Sequence, residues 1–544
     1  MQKLLPHKFS QYGPALAVGD VNGDKLDDLF IGGSYGYSGK FFLQKQGSGF
    51  SEKYLVANAN TDNKQEEDGG VVLFDAENDG DLDLFIASGG YENSNGSDNY
   101  VDRFYINDGN GNFIQDLEAI PASHLSKSCV KAADYDNDGD LDLFIGGRVM
   151  PEKYPLPVSS FILRNDSKPG SVHFTDVTKE IAPELIDVGL VCDMLWTDFD
   201  NDGLLDIMLA GEWMPLTILK NERARFRNIT KLSGLDTMYG WWSSLCAGDF
   251  DNDGDVDYVA GNTGLNTFYK ASKDHPVKIY AGDFNKDGGY DAIPSLYLPD
   301  KKNQLQEFPA FGRDDMIRQM IAFKARFTNY NSYAVATLNK VLTQPEMDQS
   351  LKLYADCLAS CFIRNNGNGK FEMKRLPVTA QLSTVYAMIA DDVNGDQNLD
   401  LIITGNDYGI EIGTGRYDAF NGLVLIGDGI GNFLPMAAAE SGLYIPGDGK
   451  SLALLFAKDQ PLLLAAQNQG PLLVFSKNTS CKAIHLLPGD RFADIQYENG
   501  KKRKEEFYYG NTFYSQSGRY IIACVGLQSI TITDDKGKKR RASF

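Results

Sequence analysis

One loop pattern constrains this chain more than any other feature. In Lys131–Gly147 carboxylates alternate at Asp134, Asp136 and Asp138. Gly139 follows, and Asp142 closes the loop just before the apolar run Leu143–Ile145. Alternating acids that end in a glycine turn suit neither helix nor strand. They suit a loop wrapped around a hard cation, on which carboxylates and a backbone carbonyl converge. The pattern recurs as Asp20, Asn22, Asp24 and Asp28; Asp75, Glu77, Asp79 and Asp83; Asp198, Asp200, Asp202 and Asp206; Asp249, Asp251, Asp253 and Asp257; Asp283, Asn285, Asp287 and Asp291; and Asp392, Asn394, Asp396 and Asp400. These seven nine-residue loops carry oxygen side chains at positions 1, 3, 5 and 9. Their start-to-start spacings are 55, 59, 64, 51, 34 and 109 residues. Most of these suit one four-stranded unit with its connections.

Each loop is flanked by short apolar strands, such as Ala15–Val18 before and Leu29–Ile31 after, so the cation site falls at a hairpin turn. A second turn signal marks a third and fourth strand, as in Asn107-Asp-Gly-Asn-Gly-Asn112, Asn365-Asn-Gly-Asn-Gly-Lys370 and Gly427-Asp-Gly-Ile-Gly-Asn432. Antiparallel four-stranded units repeated about seven times close radially. The expected fold is all-β, a β-propeller of seven or eight blades with a helical insertion and a small C-terminal β domain. The 34-residue spacing predicts a blade that has lost a strand. The 109-residue gap contains Met316, Met320, Phe323 and Phe327 at helical spacing. It predicts a helical insertion over about 311–360, in the sixth blade. Its methionine and aromatic stripe reads as packing onto the propeller.

After Gly447 the sequence predicts three strands without a cation loop, either a degenerate eighth blade or the strands that close a seven-bladed ring. From about residue 477 the repeat texture stops. Asp494–Tyr497, Phe507–Tyr509, Tyr520–Val525 and Ile530–Thr533 are expected as strands of a small β domain. The division is 1–476 and 477–544. The basic clusters Lys501–Lys504 and Lys538–Arg541 read as solvated hairpin tips.

An EF-hand would need a bidentate Glu at position 12 and a following helix. Position 12 here is Ile31, Ile86, Ile145, Leu209, Ala260, Pro294 or Ile403, none of which can ligate, and strands follow. Glycine stands at position 6 in five loops, where a left-handed turn favours it. The first and seventh loops carry Lys25 and Gln397 there, with glycine at position 4. Oxygen-only ligation points to several structural Ca²⁺ ions, one per loop. The net charge of −22 argues against nucleic acid, and seven divalent cations would offset 14 of those charges.

Other signals are thin. Gly32-Gly-Ser34-Tyr-Gly36 matches GxSxG with no helix after it. The five histidines form no motif, and no catalytic residue stands out. Trp213, Trp241 and Trp242 suit a sugar-stacking platform less well than core packing. The seven cysteines form no disulfide framework or zinc pattern, and Cys357 and Cys361 read as a buried pair on a helix. No apolar run reaches transmembrane length. The start lacks a signal-peptide core yet enters the first repeat within twenty residues, so the expectation is a trimmed start whose export signal has been removed.

With these loops in view, the chain resembles the FG-GAP/VCBS repeat proteins over about Tyr12 to Phe475. That resemblance implies an integrin-α-type propeller and Ca²⁺ at the positions named above. The tail, from Tyr509-Gly510 through Ser515-Gln516-Ser517 to Ile530–Thr533 and Lys536-Gly537, is similar to the ASPIC/UnbV domain. That domain follows such repeats in cartilage acidic protein and in exported Bacteroidetes proteins. The resemblance implies an extracytoplasmic binding or adhesion module whose partner is a glycan or a protein, with no nucleic acid and no transmembrane segment. A polysaccharide-active enzyme resembling the calcium-dependent rhamnogalacturonan lyases is the alternative. A scaffold in an outer-membrane or surface assembly is a third.

Overall fold

The computed structural model describes residues 2–47, 49–56, 64–223, 225–457, 460–477, 481–524 and 526–544. Lys458 and Asp459, within the strands predicted after Gly447, lie outside these residues, as does Val525 at the end of a predicted tail strand.

The fold is a β-propeller. Its ring sheets are antiparallel meanders whose first strands line the centre: Leu16–Gly19, Glu67–Phe74, Ser126–Ala133, Leu190–Thr197, Ser244–Gly248, Val385–Asp391 and Asp448–Ala457. Each of these strands contacts the next, and the last contacts the first. The seventh sheet has three strands, Asp448–Ala457, Gln460–Asn468 and Leu473–Ser476. First strands such as Ser126–Ala133 are buried along their whole length. They lie between neighbouring sheets, so even Lys127 and Lys131 on this strand are buried.

The structure corrects the insertion. The fifth ring sheet is split rather than short. Its second strand, Asp257–Gly261, pairs with Cys361–Asn365, a hundred residues further along the chain. Between them lies a separate sheet of Val277–Gly282, Asp291–Pro299, Leu305–Pro309 and Leu351–Ala355. The Asp283 loop belongs to this inserted sheet and not to a ring sheet. Five short helices between Arg313 and Gln349 cover one of its faces through Met316, Met320, Phe323, Phe327 and Tyr333. The predicted helix beyond residue 349 is a strand, Leu351–Ala355, because alternation there places Leu351 and Leu353 against the ring. Cys357 and Cys361 accordingly lie at a strand entrance rather than on a helix.

The tail also differs from expectation. Its strands are Lys482–His485, Asp490–Tyr497, Lys502–Glu506, Tyr520–Ala523, Leu527–Asp534 and Lys539–Arg541. Phe507–Tyr509 is not a strand. Lys502–Glu506 is, and Arg503 and Lys504, expected as solvated, are buried. The cysteines read as no disulfide framework, yet Cys481 and Cys524 form a disulfide across 43 residues.

Residues 509–517 leave the tail and enter the ring. The Ala132 amide donates to the Tyr509 carbonyl, Val71 to Tyr514 and Val18 to Gln516. The Gln516 amide returns a bond to the Leu16 carbonyl at 2.8 Å. Lys131 Nζ donates to the Thr512 carbonyl at 2.7 Å, and Thr512 Oγ1 to Leu452 at 2.7 Å. Phe513 and Tyr514 stack at 4.1 Å near the axis and meet Tyr12 and Tyr386. Beyond them lies a buried network in which Arg148 and His7 both pair with Glu212, and Tyr154 donates to it. The aromatic tip and this network together fill the centre of the ring.

Candidate metal centres

All seven acidic loops fold to one backbone shape. Position 4 is left-handed throughout, with φ from +58° at Asn78 and Lys286 to +79° at Gly395. Position 6 is left-handed too, from +68° at Lys25 to +104° at Gly139. The two loops with non-glycine residues at position 6 therefore bend like the other five. Asparagine at position 4 tolerates this region better than most residues. The same three bonds fix each turn. The position-1 carboxylate accepts the amides of positions 5 and 6, and the position-5 carboxylate accepts the amide of position 7. In the third loop these are Asp138 N and Gly139 N to Asp134, both 3.1 Å, and Asp140 N to Asp138, 3.0 Å. The first and seventh loops show the same set around Asp20 and Asp392.

Three loops gather carboxylate oxygens within 4.8 Å of one another: Asp134, Asp136 and Asp142; Asp198, Asp200 and Asp206; and Asp249, Asp251 and Asp253. Among the described residues, Asp75, Glu77, Asp79 and Asp83 do not gather so closely. The loops at Asp20, Asp283 and Asp392 place an asparagine, Asn22, Asn285 or Asn394, at position 3 and so offer fewer carboxylates. Asp24, Asp28, Asp287, Asp291, Asp396 and Asp400 complete those loops in the expected positions.

The closing aspartate ties each ring loop to its sheet. Asp83, Asp142, Asp206 and Asp257 each accept the amide of an asparagine ending the third strand: Asn107, Asn165, Asn221 or Asn365. That asparagine also donates its side-chain amide to the position-2 carbonyl of the preceding loop. Asn107 reaches Val21, Asn165 reaches Ala76, Asn221 reaches Tyr135 and Asn365 reaches Phe199. Gln44 does the same work in the first sheet, reaching Phe456 of the seventh. These residues clasp loop to loop around the ring. The sequence carries the signal, since the third strands end in Ile106-Asn, Arg164-Asn, Lys220-Asn and Arg364-Asn, although only Asn107 and Asn365 stand beside an evident turn.

The electrostatics of the loops favour a positively charged partner. Burial, with neighbouring carboxylates adding to it, pushes the closing carboxyls up, to about 8 at Asp83, Asp206 and Asp257 and about 7 at Asp28. Asp142 is also raised well above its ordinary value. Buried oxygens without a hydrogen-bond partner point the same way: Asp136 Oδ1, Asp200 Oδ1, Asp206 Oδ2, Asp251 Oδ1, Asp257 Oδ2 and Glu77 Oε2. A buried carboxylate oxygen with no partner is costly. A divalent cation is the partner that this all-oxygen donor set suits.

The tail rests on this loop face. Glu506 accepts the Asp198 amide at 3.0 Å, and the Lys504 amide donates to Asp249 at 2.9 Å. Arg491 donates to Asn137 and to the Gly203 carbonyl, and Lys501 to Asn398. Trp213, Trp241 and Trp242 are all buried in the core, as core packing rather than a sugar-stacking platform requires. No helix among the described residues is long and apolar enough to cross a membrane.

The FG-GAP-like repeat model matches residues 75–145 and 198–260. Mouse cartilage acidic protein 1 is 26% identical over 222 residues, which span 40% of this chain and 32% of that protein. The match thus covers about a third of the relative's length. Among solved structures, an Agrocybe aegerita lectin described as recognising non-reducing terminal N-acetylglucosamine aligns at TM-score 0.37. It shows 16% identity over 79% of this chain and 80% of its own. Rhamnogalacturonan lyase YesW aligns at 0.38 with 11% identity, over 95% and 78%. Structural similarity at this level bears on neither ligand nor activity. What the repeat match does establish lies in the second to fifth ring sheets, where this chain carries FG-GAP-like repeats.

Proposed function

We propose that this protein is a calcium-stabilised, extracytoplasmic binding module that recognises a glycan or a protein, with 1–476 as the propeller and 477–544 as an ASPIC/UnbV-like domain seated on it. One observation carries the metal half: in the three carboxylate clusters, inner oxygens are buried and unpartnered although every turn bond is made. Ca²⁺ fits better than zinc or copper because the donors are all oxygen, and better than Mg²⁺ because a flexible loop does not impose octahedral geometry. The Cys481–Cys524 disulfide supports an oxidising compartment.

The binding half rests on the face opposite the loops. Connections between second and third strands, and those leading into first strands, lie there by topology. They present Tyr35, Tyr37 and Tyr444 to solvent, Tyr37 at 69% exposure. Exposed aromatic rings with polar tips are the side chains that glycan and protein ligands use. A lyase would need an open basic funnel beside a loop. Arg148, on the ring axis, is 3% exposed and engaged by Glu212, and Phe513 and Tyr514 fill the approach from the loop face.

Melting in calcium and in excess chelator tests the metal half; equal midpoints, with no metal found by elemental analysis, would overturn it. A glycan array probed in calcium with the wild type and with Tyr35→Ala/Tyr37→Ala tests the other half. Binding that survives the double substitution moves the ligand away from these tyrosines.

A further inference from the structure

Two of the three carboxylate clusters have a basic side chain reaching in from the third strand. Lys220 Nζ pairs with the Oδ2 atoms of both Asp200 and Asp202, the latter at 2.8 Å. Arg364 holds Asp251 Oδ2 through Nε at 2.6 Å and through Nη2. In each case only the outer oxygen is taken. Asp200 Oδ1 and Asp251 Oδ1 stay buried and unpartnered, as do Asp206 Oδ2 and Asp257 Oδ2 in the same loops. The equivalent residue of the third sheet, Arg164, is instead held by Asp166 at 2.9 and 3.1 Å, and among the described residues no guanidinium hydrogen-bonds Asp136. The second sheet has Ile106 at this place.

From this we infer that Lys220 and Arg364 are resident counter-charges of the Asp198 and Asp249 loops. They keep those loops folded when no cation is bound, and they lower the loops' cation affinity below that of the Asp134 loop. The inference rests on the calcium reading and names a regulation of those sites. The physical basis is direct. Four carboxylates in one small loop repel one another, and a fixed ammonium or guanidinium relieves that repulsion in the metal-free state. The same positive charge stands within a few ångströms of the place where the unpartnered oxygens converge, so it repels an incoming divalent ion. Because it grips only the outer oxygens, the ion need not displace it.

The test uses the full chain with Lys220→Met, Arg364→Met, Lys220→Arg and, as a control, Arg164→Met. Each variant is melted in calcium and in chelator, and its calcium affinity is titrated. Lys220→Met and Arg364→Met should melt lower in chelator, recover most of that loss in calcium, and bind calcium at the affected loop about tenfold more tightly. Lys220→Arg should behave as the wild type does, and Arg164→Met should leave the calcium response unchanged. Equal losses with and without calcium, or weakened calcium binding, would overturn the inference while leaving the calcium reading intact. If the wild type ignores calcium but Lys220→Met responds, the counter-charge stands and the wild-type calcium reading falls. If neither responds, both fall.

Discussion

The ring and the insertion carry the same nine-residue loop in different surroundings. In the ring, the opening aspartates Asp75, Asp134, Asp198 and Asp249 are buried, the closing carboxyls of Asp83, Asp206 and Asp257 are pushed up to about 8, and asparagines clasp these loops to the ones before. In the insertion Asp283 is exposed, and the Asp291 carboxyl rises only to about 6. There the Asn285 side-chain amide reaches only the Gln319 carbonyl of a short helix, at 3.4 Å, and among the described residues no side-chain amide clasps that loop to a second acidic loop. The turn is therefore a local property of the sequence, whereas the strain on its carboxylates comes from the neighbours. A cation should accordingly matter more to the ring than to the insertion.

Metal removal should separate the two regions most. Each ring loop filled at a hundred times its Kd adds about 2.7 kcal/mol. Chelator should therefore lower the ring's unfolding midpoint by many degrees. Hydrogen exchange in chelator should rise first in the first strands of the ring and least in the insertion; uniform acceleration would break the comparison. Next come the closing aspartates. Asp83→Ala strips acceptors from the Asn107 and Ala76 amides and should cost roughly 3 kcal/mol, while Asp291→Ala loses one bond, from Phe284, and should cost about 1 kcal/mol, both read by denaturant unfolding. Removing a clasp should cost less than removing a closing aspartate of the ring. Asn221→Ala leaves the Tyr135 and Leu205 carbonyls without their amide and should cost about 2 kcal/mol, measured the same way.

The smallest effect is the pH slope without metal. The closing carboxyls are raised in the fold, so between about pH 4 and 8 the folded state holds protons that the unfolded chain has lost. Stability in chelator should then rise as pH falls from 8.5 to 6. In calcium the slope should flatten or reverse, because protons compete with the ion. A chelator slope of the opposite sign would show that the carboxyls are not the groups that limit the metal-free ring.

The loops, their flanking strands and the propeller were legible because each loop states its own geometry in alternating acids and turn residues. Lys25 and Gln397 obey the same φ values as glycine, so the pattern of side chains, rather than position 6 alone, carried the turn. Long-range pairing was not legible. Nothing local says that Cys361 returns to Asp257–Gly261, so spacing alone suggested a short blade and misplaced the insertion. Lys504 reads as part of a solvated tip because its partners Asn201 and the Asp249 loop lie far away in sequence. The Cys481–Cys524 bridge was hidden in an odd count of cysteines.

The segment 509–517 has a consequence for how the molecule is made. Ribosomes deliver the seven first strands in order before they deliver the piece that satisfies Val18, Val71 and Ala132 on the axis. Until then those inward amides have only water as a partner, and the middle of the wheel is a wet hole. A truncation just before Tyr509 would thus remove little mass from the rim but would take out the hub. The newborn protein should stay protease-sensitive at its centre until residues 509–517 have been translated.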